Sequence, residues 1–199
     1  MRSDTGTVRR RVAAAAIVLF AAGLLQGADA FAAERRTSAP AEYQVKAEFV
    51  YNFIKFVEWP LRGHGGNVPE GMIRFCVLGE LPDKASFEAL DGQEIMGKHL
   101  SLVFLKKSEE SRVCQVLFLS STVSNSLPEV LEVLQGQPTL TIGDTEGYAR
   151  RGVMINMYLD NKRVRFNINA ETAGAAGLRI STKLLNLAGT LYGVSRTGK

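Results

Sequence analysis

The sequence predicts a single α/β domain in which a largely parallel sheet carries helices on both faces and ends in an antiparallel hairpin. The first observation behind this prediction is the alternation of short apolar runs with helical segments across residues 72–142, which is typical of parallel sheets. The second is a pair of strands across residues 152–168 that a short polar turn joins. The length of 199 residues is typical of one domain once a leader is removed.

Residues 1–30 have the layout of a secretory signal peptide. Four arginines fall within residues 1–11, and an uncharged run of 14 residues follows from Val12 to Leu25. Small residues spaced as Ala-x-Ala supply a cleavage site near residues 30–33. A retained anchor is the alternative, but this run is shorter than the roughly 20 residues that span a bilayer. We therefore expect export to the periplasm, with no membrane insertion after cleavage.

The charge of the chain after the predicted signal peptide bears on whether a nucleic acid is the partner. Residues 31–40 are small and polar and predict a flexible start, so the α/β domain is expected to cover residues 41–194. The net charge of +4 falls to +2 from residue 31 onward, where 20 basic residues accompany 18 acidic ones. A nearly neutral chain gives no electrostatic reason to expect a nucleic-acid partner.

The first helix is predicted over Ala41–Glu58. Apolar side chains recur every four residues at Val45, Phe49, Phe53 and Val57, which is the spacing of one helix face. Pro60 ends the helix, because a residue before proline avoids helical backbone angles. The glycine-rich residues 61–71 that follow read as a loop, since no strand precedes them and no Lys-Ser/Thr follows.

Strands and helices then alternate. The predicted strands are Met72–Leu78, Leu100–Leu105, Val113–Leu119 and Pro138–Ile142, and the predicted helices between them are Pro82–Leu90 and Leu127–Leu134. The hairpin consists of Gly152–Leu159 and Arg163–Ile168 with a turn at residues 160–162. Two helices, Ala170–Ala176 and Ser181–Tyr192, are predicted to close the chain.

The two cysteines, Cys76 and Cys114, allow either a disulfide or two buried free thiols. Export favours the disulfide, which would close a long loop and contribute about 3–4 kcal/mol of stability in the chain-entropy model. Two cysteines and two histidines make a zinc site unexpected.

The sequence offers little for catalysis. His64 lies in the glycine-rich loop, His99 lies at a strand edge, and the neighbouring carboxylates Glu109 and Glu110 are typical of a solvated segment. No serine or cysteine lies in a nucleophile elbow such as Gly-x-Ser-x-Gly. The sequence therefore predicts no catalytic residue, no cofactor and no metal.

Three features favour binding instead. A pocket for a planar or anionic small molecule is predicted at Trp59, Arg62 and Arg179. The alternative is that Trp59 belongs to the core and Arg62 is solvated. Basic residues around the hairpin, including Arg150 and Arg151, predict a rim for a protein or an anion; the alternative is an ordinary charged hairpin surface. The hairpin and the small-residue segment after it predict a partner-binding face, formed by Arg163, Arg165, Asn167, Ile168, Glu171 and Ala173; the alternative for the small-residue segment is a tightly packed internal helix.

Taken together, these segments resemble the YfiR family across residues 42–191. The most specific parts are Lys-Phe-Val-Glu-Trp-Pro at residues 55–60 and Gly-Leu-Arg-Ile-Ser-Thr-Lys-Leu-Leu at residues 177–185. Further matching parts are Phe-Cys-Val-Leu-Gly at 75–79, Thr-Ile-Gly-Asp at 141–144, Gly-Tyr-Ala-Arg-Arg-Gly at 147–152, Met-Ile-Asn at 154–156 and Val-Arg-Phe-Asn-Ile-Asn at 164–169.

The resemblance implies a non-catalytic periplasmic α/β protein. Its partner would be the periplasmic sensor domain of an inner-membrane diguanylate cyclase, which it would hold inactive and so restrain cyclic di-GMP signalling and biofilm formation. The resemblance also implies a homodimer and a response to thiol oxidation, although this chain has only the one cysteine pair.

Two other functions stay open. A small-molecule carrier for a transporter or sensor would bind a ligand tightly without a cyclase partner. A small exported enzyme would lose activity when His64, His99 or Glu58 is replaced.

Overall fold

The alternating apolar runs of the sequence form the strands of one mixed sheet. The structure, a computed structural model, describes residues 41–60 and 68–193. Its helices are α1 (residues 41–55), α2 (Ala85–Glu88), α3 (Leu127–Val133), α4 (Ala170–Ala175) and α5 (Thr182–Leu185), and short 3-10 turns lie at Ser108–Val113, Ser121–Val123 and Tyr148–Arg151. Its strands are β1 (Val57–Glu58), β2 (Met72–Leu78), β3 (Glu94–Ile95), β4 (Lys98–Leu105), β5 (Val116–Leu119), β6 (Leu140–Gly143), β7 (Ile155–Asp160), β8 (Arg163–Asn169), β9 (Arg179–Ile180) and β10 (Leu191–Tyr192).

Eight of these strands make the main sheet, in the order β10-β8-β7-β6-β5-β2-β4-β3. Neighbours from β4 across to β7 are all parallel, whereas β3–β4 and β7–β8 are antiparallel. The short strands β1 and β9 pair with each other in a separate antiparallel ribbon. The predicted fold class is therefore confirmed.

The central strands are apolar on both faces, and their side chains alternate between two cores. On β2, Phe75 and Val77 lie in the core beneath α1, while Cys76 and Leu78 lie in the core beneath α3. Strand β5 divides its side chains in the same way. This two-sided burial is why these strands read as continuous apolar runs rather than alternating ones.

The hairpin turn is tighter than predicted. Asp160 pairs with Arg163 across the two strands, so Asn161 and Lys162 alone form the turn. Both have positive φ values, 48° and 63°, which is the pattern of a type I′ turn. That turn matches the right-handed twist of the strands and fixes the register of the hairpin.

The end of the first predicted helix is wrong. Helix α1 stops at residue 55, and Val57 and Glu58 instead pair with Ile180 and Arg179. The Ser181 backbone N–H also donates to the Phe56 carbonyl, at 2.9 Å. Backbone hydrogen bonds to strand β9, which is distant in sequence, therefore stabilise residues 56–58 more than three further residues of helix would.

The prediction of one helix over Ser181–Tyr192 is also wrong. Helix α5 covers only Thr182–Leu185, and Leu191–Tyr192 is the edge strand β10, parallel to β8. Gly189 N donates to Phe166 O and Ile168 N donates to Thr190 O, both at 2.9 Å. The segment satisfies its backbone on the sheet edge, and Leu187 on the expected apolar face is 70% exposed.

Smaller differences concern element lengths. The helix predicted over Pro82–Leu90 is the four-residue α2, and the strand predicted from Val113 begins at Val116 because Val113 ends a 3-10 turn. In the part of the chain that the structure describes, no helix is long and apolar enough to span a membrane. The predicted signal peptide and residues 31–40 lie outside that part.

Candidate functional site

A buried ionic cluster that sequence reasoning missed joins α1 to the main sheet. Asp144 directly follows β6, and its Oδ2 accepts hydrogen bonds from Tyr43 Oη at 2.7 Å and Lys46 Nζ at 3.0 Å. The Lys46 ammonium also contacts Glu42 at 2.5 Å and lies 4.4 Å from the centre of the Tyr43 ring. The side chains of Lys46 and Asp144 are only 5% and 2% exposed. We call Tyr43, Lys46 and Asp144 the buried cluster.

Burial sets the electrostatics of this cluster. Removal from water, followed by the hydrogen bond to Asp144, raises the pKa of Tyr43 well above its usual value of 10.0. The phenol therefore stays protonated and acts as a hydrogen-bond donor. Asp144 Oδ1 is buried, and no other described residue donates to it. Both donors therefore bind the same carboxylate oxygen, and loss of Lys46 would leave the buried Asp144 charge without a counter-charge.

A signal for this cluster exists in the sequence. The buried stripe of α1 contains Tyr43, Val50 and Ile54, whereas Val45 of the predicted stripe is 38% exposed. Lys46 precedes Val50 by four residues and so falls on the buried face. A lysine on a core face requires a partner, although nothing in the sequence identifies Asp144 as that partner.

The predicted ligand pocket is only partly assembled. Arg62 lies outside the described residues. Trp59 packs against the core beneath α1 and borders a cavity of about 50 Å³ with Ile73, Lys98 and Gln115. A cavity of that size accommodates water rather than an organic ligand. The buried Trp59 Nε1 has no hydrogen-bond partner within the described chain.

Arg179 does not line that cavity. Its side chain is 84% exposed and lies 3.9 Å from Glu58 Oε2 across the ribbon of β1 and β9. The register places Arg179 opposite Glu58, one residue before Trp59. A ligand that contacts both Trp59 and Arg179 would therefore lie beside this ribbon.

The predicted partner-binding face divides into exposed and buried residues. Arg163, Arg165 and Asn167 alternate along one face of β8, and both arginines are exposed. Ile168 and Ala173 instead lie in the core, with 0% and 2% exposure, so their assignment to a surface is corrected. Strand alternation explains Ile168, which shares its face with buried Phe166 rather than with the arginines. Glu171 is exposed at the start of α4.

The face of β8 that carries the arginines is a polar ladder with its neighbour β7. Arg163 lies opposite Asp160, Arg165 opposite Tyr158, and Asn167 opposite Asn156. The Arg165 guanidinium is 3.9 Å from Asp160, and both side chains are more than half exposed. Such a solvated pair is weak and is free to exchange partners. We call Asp160, Arg163, Arg165 and Asn167 the hairpin face.

The other two arginines of the predicted basic rim, Arg150 and Arg151, make contacts within the protein. Arg151 donates to the Ser124 carbonyl at 2.7 Å and lies over the Tyr148 ring, and Arg150 donates to the Tyr192 hydroxyl at 3.4 Å. These two residues therefore contribute less to a free basic surface than the hairpin arginines do.

The residues weighed as catalytic lie on separate elements. His64 is outside the described residues, and His99 is exposed on β4, where Nδ1 lies 3.2 Å from the Gly92 carbonyl. Backbone N–H groups of Lys106 and Lys107 hold the pKa of Glu110 below its usual range. Across residues 41–60 and 68–193, no three metal-binding side chains cluster.

The predicted disulfide between Cys76 and Cys114 is present. The two Cα atoms are 5.9 Å apart, and the residues are 0% and 3% exposed. The bond joins β2 to the segment before β5 in the core beneath α3. Its burial means that a reductant reaches the sulfurs only after that core opens.

The structure is thus a mixed α/β domain with a buried disulfide, an internal ionic cluster and a polar hairpin. The chain belongs to the YfiR/HmsC-like family, whose sequence profile matches residues 43–189. At the level of the family, it is a periplasmic regulatory protein, and the family is non-catalytic.

Two solved structures are similar to this chain. A conserved domain protein from Vibrio cholerae O1 biovar El Tor strain N16961 shares its fold, with a TM-score of 0.50, 13% identity and coverage of 75% of this chain and 60% of that one. An ABC domain in complex with L-Trp from Streptococcus pneumonia gives a TM-score of 0.44 and 13% identity, with coverage of 60% and 55%. This chain therefore spans less than two thirds of either protein.

Proposed function

We propose that this chain binds the periplasmic sensor domain of an inner-membrane diguanylate cyclase and holds the cyclase inactive, which lowers cyclic di-GMP and restrains biofilm formation. The observation that carries the proposal is membership of the YfiR/HmsC-like family across residues 43–189. The protein acts by binding and not as an enzyme.

The hairpin face is the surface that contacts the sensor domain. Its backbone is held by a type I′ turn and by full pairing of β7 with β8, so the exposed side chains of Asp160, Arg163 and Arg165 are presented on a rigid support. Arg163 and Arg165 offer planar donors suited to carboxylates of a partner. Because the Arg165–Asp160 pair is solvated, exchanging it for a partner's carboxylate costs little. Glu171 at the start of α4 extends the contact.

Repression responds to a ligand or to oxidation. A small molecule beside the β1–β9 ribbon would contact Trp59 and Arg179. The Cys76–Cys114 disulfide keeps the core beneath α3 closed. Ligand binding or oxidation changes repression only if it stabilises the free protein and the partner-bound protein to different extents. The working unit is a homodimer.

The proposal is tested by cyclic di-GMP measurements in a deletion strain that carries this chain on a plasmid. We expect deletion to raise cyclic di-GMP, the wild-type chain to restore the low level, and Arg165→Glu to fail to restore it. Arg112→Glu is the matched control, because Arg112 is exposed on a 3-10 turn away from the hairpin. An unchanged cyclic di-GMP level on deletion would overturn the cyclase pathway. Full restoration by Arg165→Glu would overturn the hairpin face.

A further inference from the structure

The path of the chain through the sheet creates a topological switch point at β2. From β2 the chain moves to β4 on one side of β2, and then crosses to β5, β6 and β7 on the other side. The connections on the two sides leave a crevice outside the carboxyl ends of β2 and β5, which is where open α/β sheets bind their ligands. No residue of the hairpin face or of the buried cluster lies there.

The structure contains an open crevice at this position, with a volume of about 710 Å³. It is bordered by the ends of β2 and β4, the start of α2 and the first turn of α3. The volume lies within the range of about 300–1,000 Å³ that is typical of small-molecule sites. We call it the switch-point crevice.

The floor of the crevice is held rigidly. Gly79 ends β2 with a φ of +93°, and a Cβ there would collide with the side chains of Ser120 and Thr122. The Glu80 N–H donates to Thr122 Oγ1 at 2.9 Å, and the Ser120 and Thr122 hydroxyls are 2.8 Å apart. The ends of β2 and β5 therefore meet so closely that only glycine fits, and the floor keeps its shape without a ligand.

Charges of both signs line this crevice without pairing with each other. The lining includes Lys84, Lys106, Lys107, Glu80, Glu109 and Glu129. None of these six residues makes an ion pair with another described residue. The Lys84 ammonium is held 4.6 Å from the centre of the Phe104 ring, so a cation is positioned with no anion beside it.

From this arrangement we propose that the switch-point crevice binds a short free peptide in its zwitterionic form. The peptide carboxylate pairs with Lys84 and its neighbouring lysines, and the peptide amine pairs with Glu129. An anion alone would meet three uncompensated glutamates, and a cation alone would meet three lysines. The hydroxyls of Thr122 and Ser126 that line the crevice already bond within the protein, so the charged ends of the peptide supply the recognition. This inference goes beyond the proposed regulatory function and does not depend on it.

Calorimetric titration of the purified protein tests the proposal, with trialanine as the probe. N-acetyl-trialanine carries only the negative charge and trialanine amide only the positive one. We expect trialanine to bind saturably and each singly charged form to bind about tenfold more weakly, since one charged hydrogen bond is worth about 1.4 kcal/mol or more. Saturable binding by trialanine that is no stronger than that of the two blocked forms would overturn the zwitterion assignment.

Matched variants test whether trialanine binds in the switch-point crevice. We expect Lys84→Gln and Glu129→Gln each to weaken trialanine binding about tenfold. Lys55→Gln and Glu132→Gln are the controls and should leave binding unchanged. Lys55 also lies over an aromatic ring, with its Nζ 4.0 Å from the Tyr51 centroid, and Glu132 lies on the same helix as Glu129. No detectable binding of trialanine at millimolar concentration, or equal effects in variants and controls, would overturn the proposal.

Discussion

The buried cluster and the hairpin face both bring a carboxylate to a cationic side chain, yet they differ in exposure. Lys46 and Asp144 are 5% and 2% exposed, whereas Arg165 and Asp160 are 55% and 51% exposed. Charges removed from water are strongly coupled to the fold, while solvated charges contribute little to it. The comparison indicates that the first region fixes the structure and the second is free to bind.

The largest expected effect follows removal of the buried carboxylate. We expect Asp144→Ala to lower the free energy of unfolding by about 3–5 kcal/mol, because it removes the buried partner of Lys46 and the acceptor of Tyr43 and leaves Lys46 with only the more exposed Glu42. Urea denaturation followed by circular dichroism measures the change. The matched control is Asp160→Ala, for which we expect a loss under about 1 kcal/mol. Equal effects of the two substitutions would remove the distinction between the regions.

The second largest expected effect follows removal of the disulfide between Cys76 and Cys114. We expect Cys76→Ser combined with Cys114→Ser to lower the free energy of unfolding by about 3–4 kcal/mol in the chain-entropy model. Because both cysteines are buried, we also expect thiol labelling of the native protein under a mild reductant to be slow. Rapid labelling without denaturant would contradict the buried position of the bond.

Tyr43 offers a finer test of the buried cluster. We expect Tyr43→Phe to cost about 1.5–3 kcal/mol, because the phenol donates to a charged carboxylate. Since the pKa of Tyr43 is raised in the folded state, the unfolded chain releases this proton first, and stability should fall as the pH rises above 10.0. That fall should be smaller in Tyr43→Phe. An identical high-pH profile for the two proteins would show that Tyr43 is not protected.

The smallest expected effect on stability belongs to the hairpin face. We expect Arg165→Ala to change the free energy of unfolding by under about 1 kcal/mol, because its ion pair with Asp160 is solvated. Thermal unfolding of this variant beside the wild type provides the measurement. A loss comparable to that of Asp144→Ala would mean that the hairpin arginines serve the fold.

Local sequence patterns correctly predicted strands that are buried on both faces. Strand β2 has the predicted bounds, Met72–Leu78, because its apolar run is of strand length and ends at Gly79. The chain over residues 181–192 was misassigned because its apolar spacing suits a helix, while its backbone pairs with β8. That competition depends on tertiary contacts that no local window contains.

The candidate sites were harder to predict for the same reason. Lys46 and Asp144 are 98 residues apart in sequence, and only the fold brings them together. The placement of Ile168 on a surface contradicted the alternation of its own strand, which already put it on the apolar face. The exposure of Arg163 and Arg165 followed correctly from that alternation.

The most direct test of the central claim is crosslinking of the tagged chain in living cells, followed by identification of the recovered membrane proteins. We predict recovery of a diguanylate cyclase with a periplasmic sensor domain, with much less recovery for Arg165→Glu and full recovery for Arg112→Glu. Recovery of a different membrane receptor, or of the chain alone, would contradict the account.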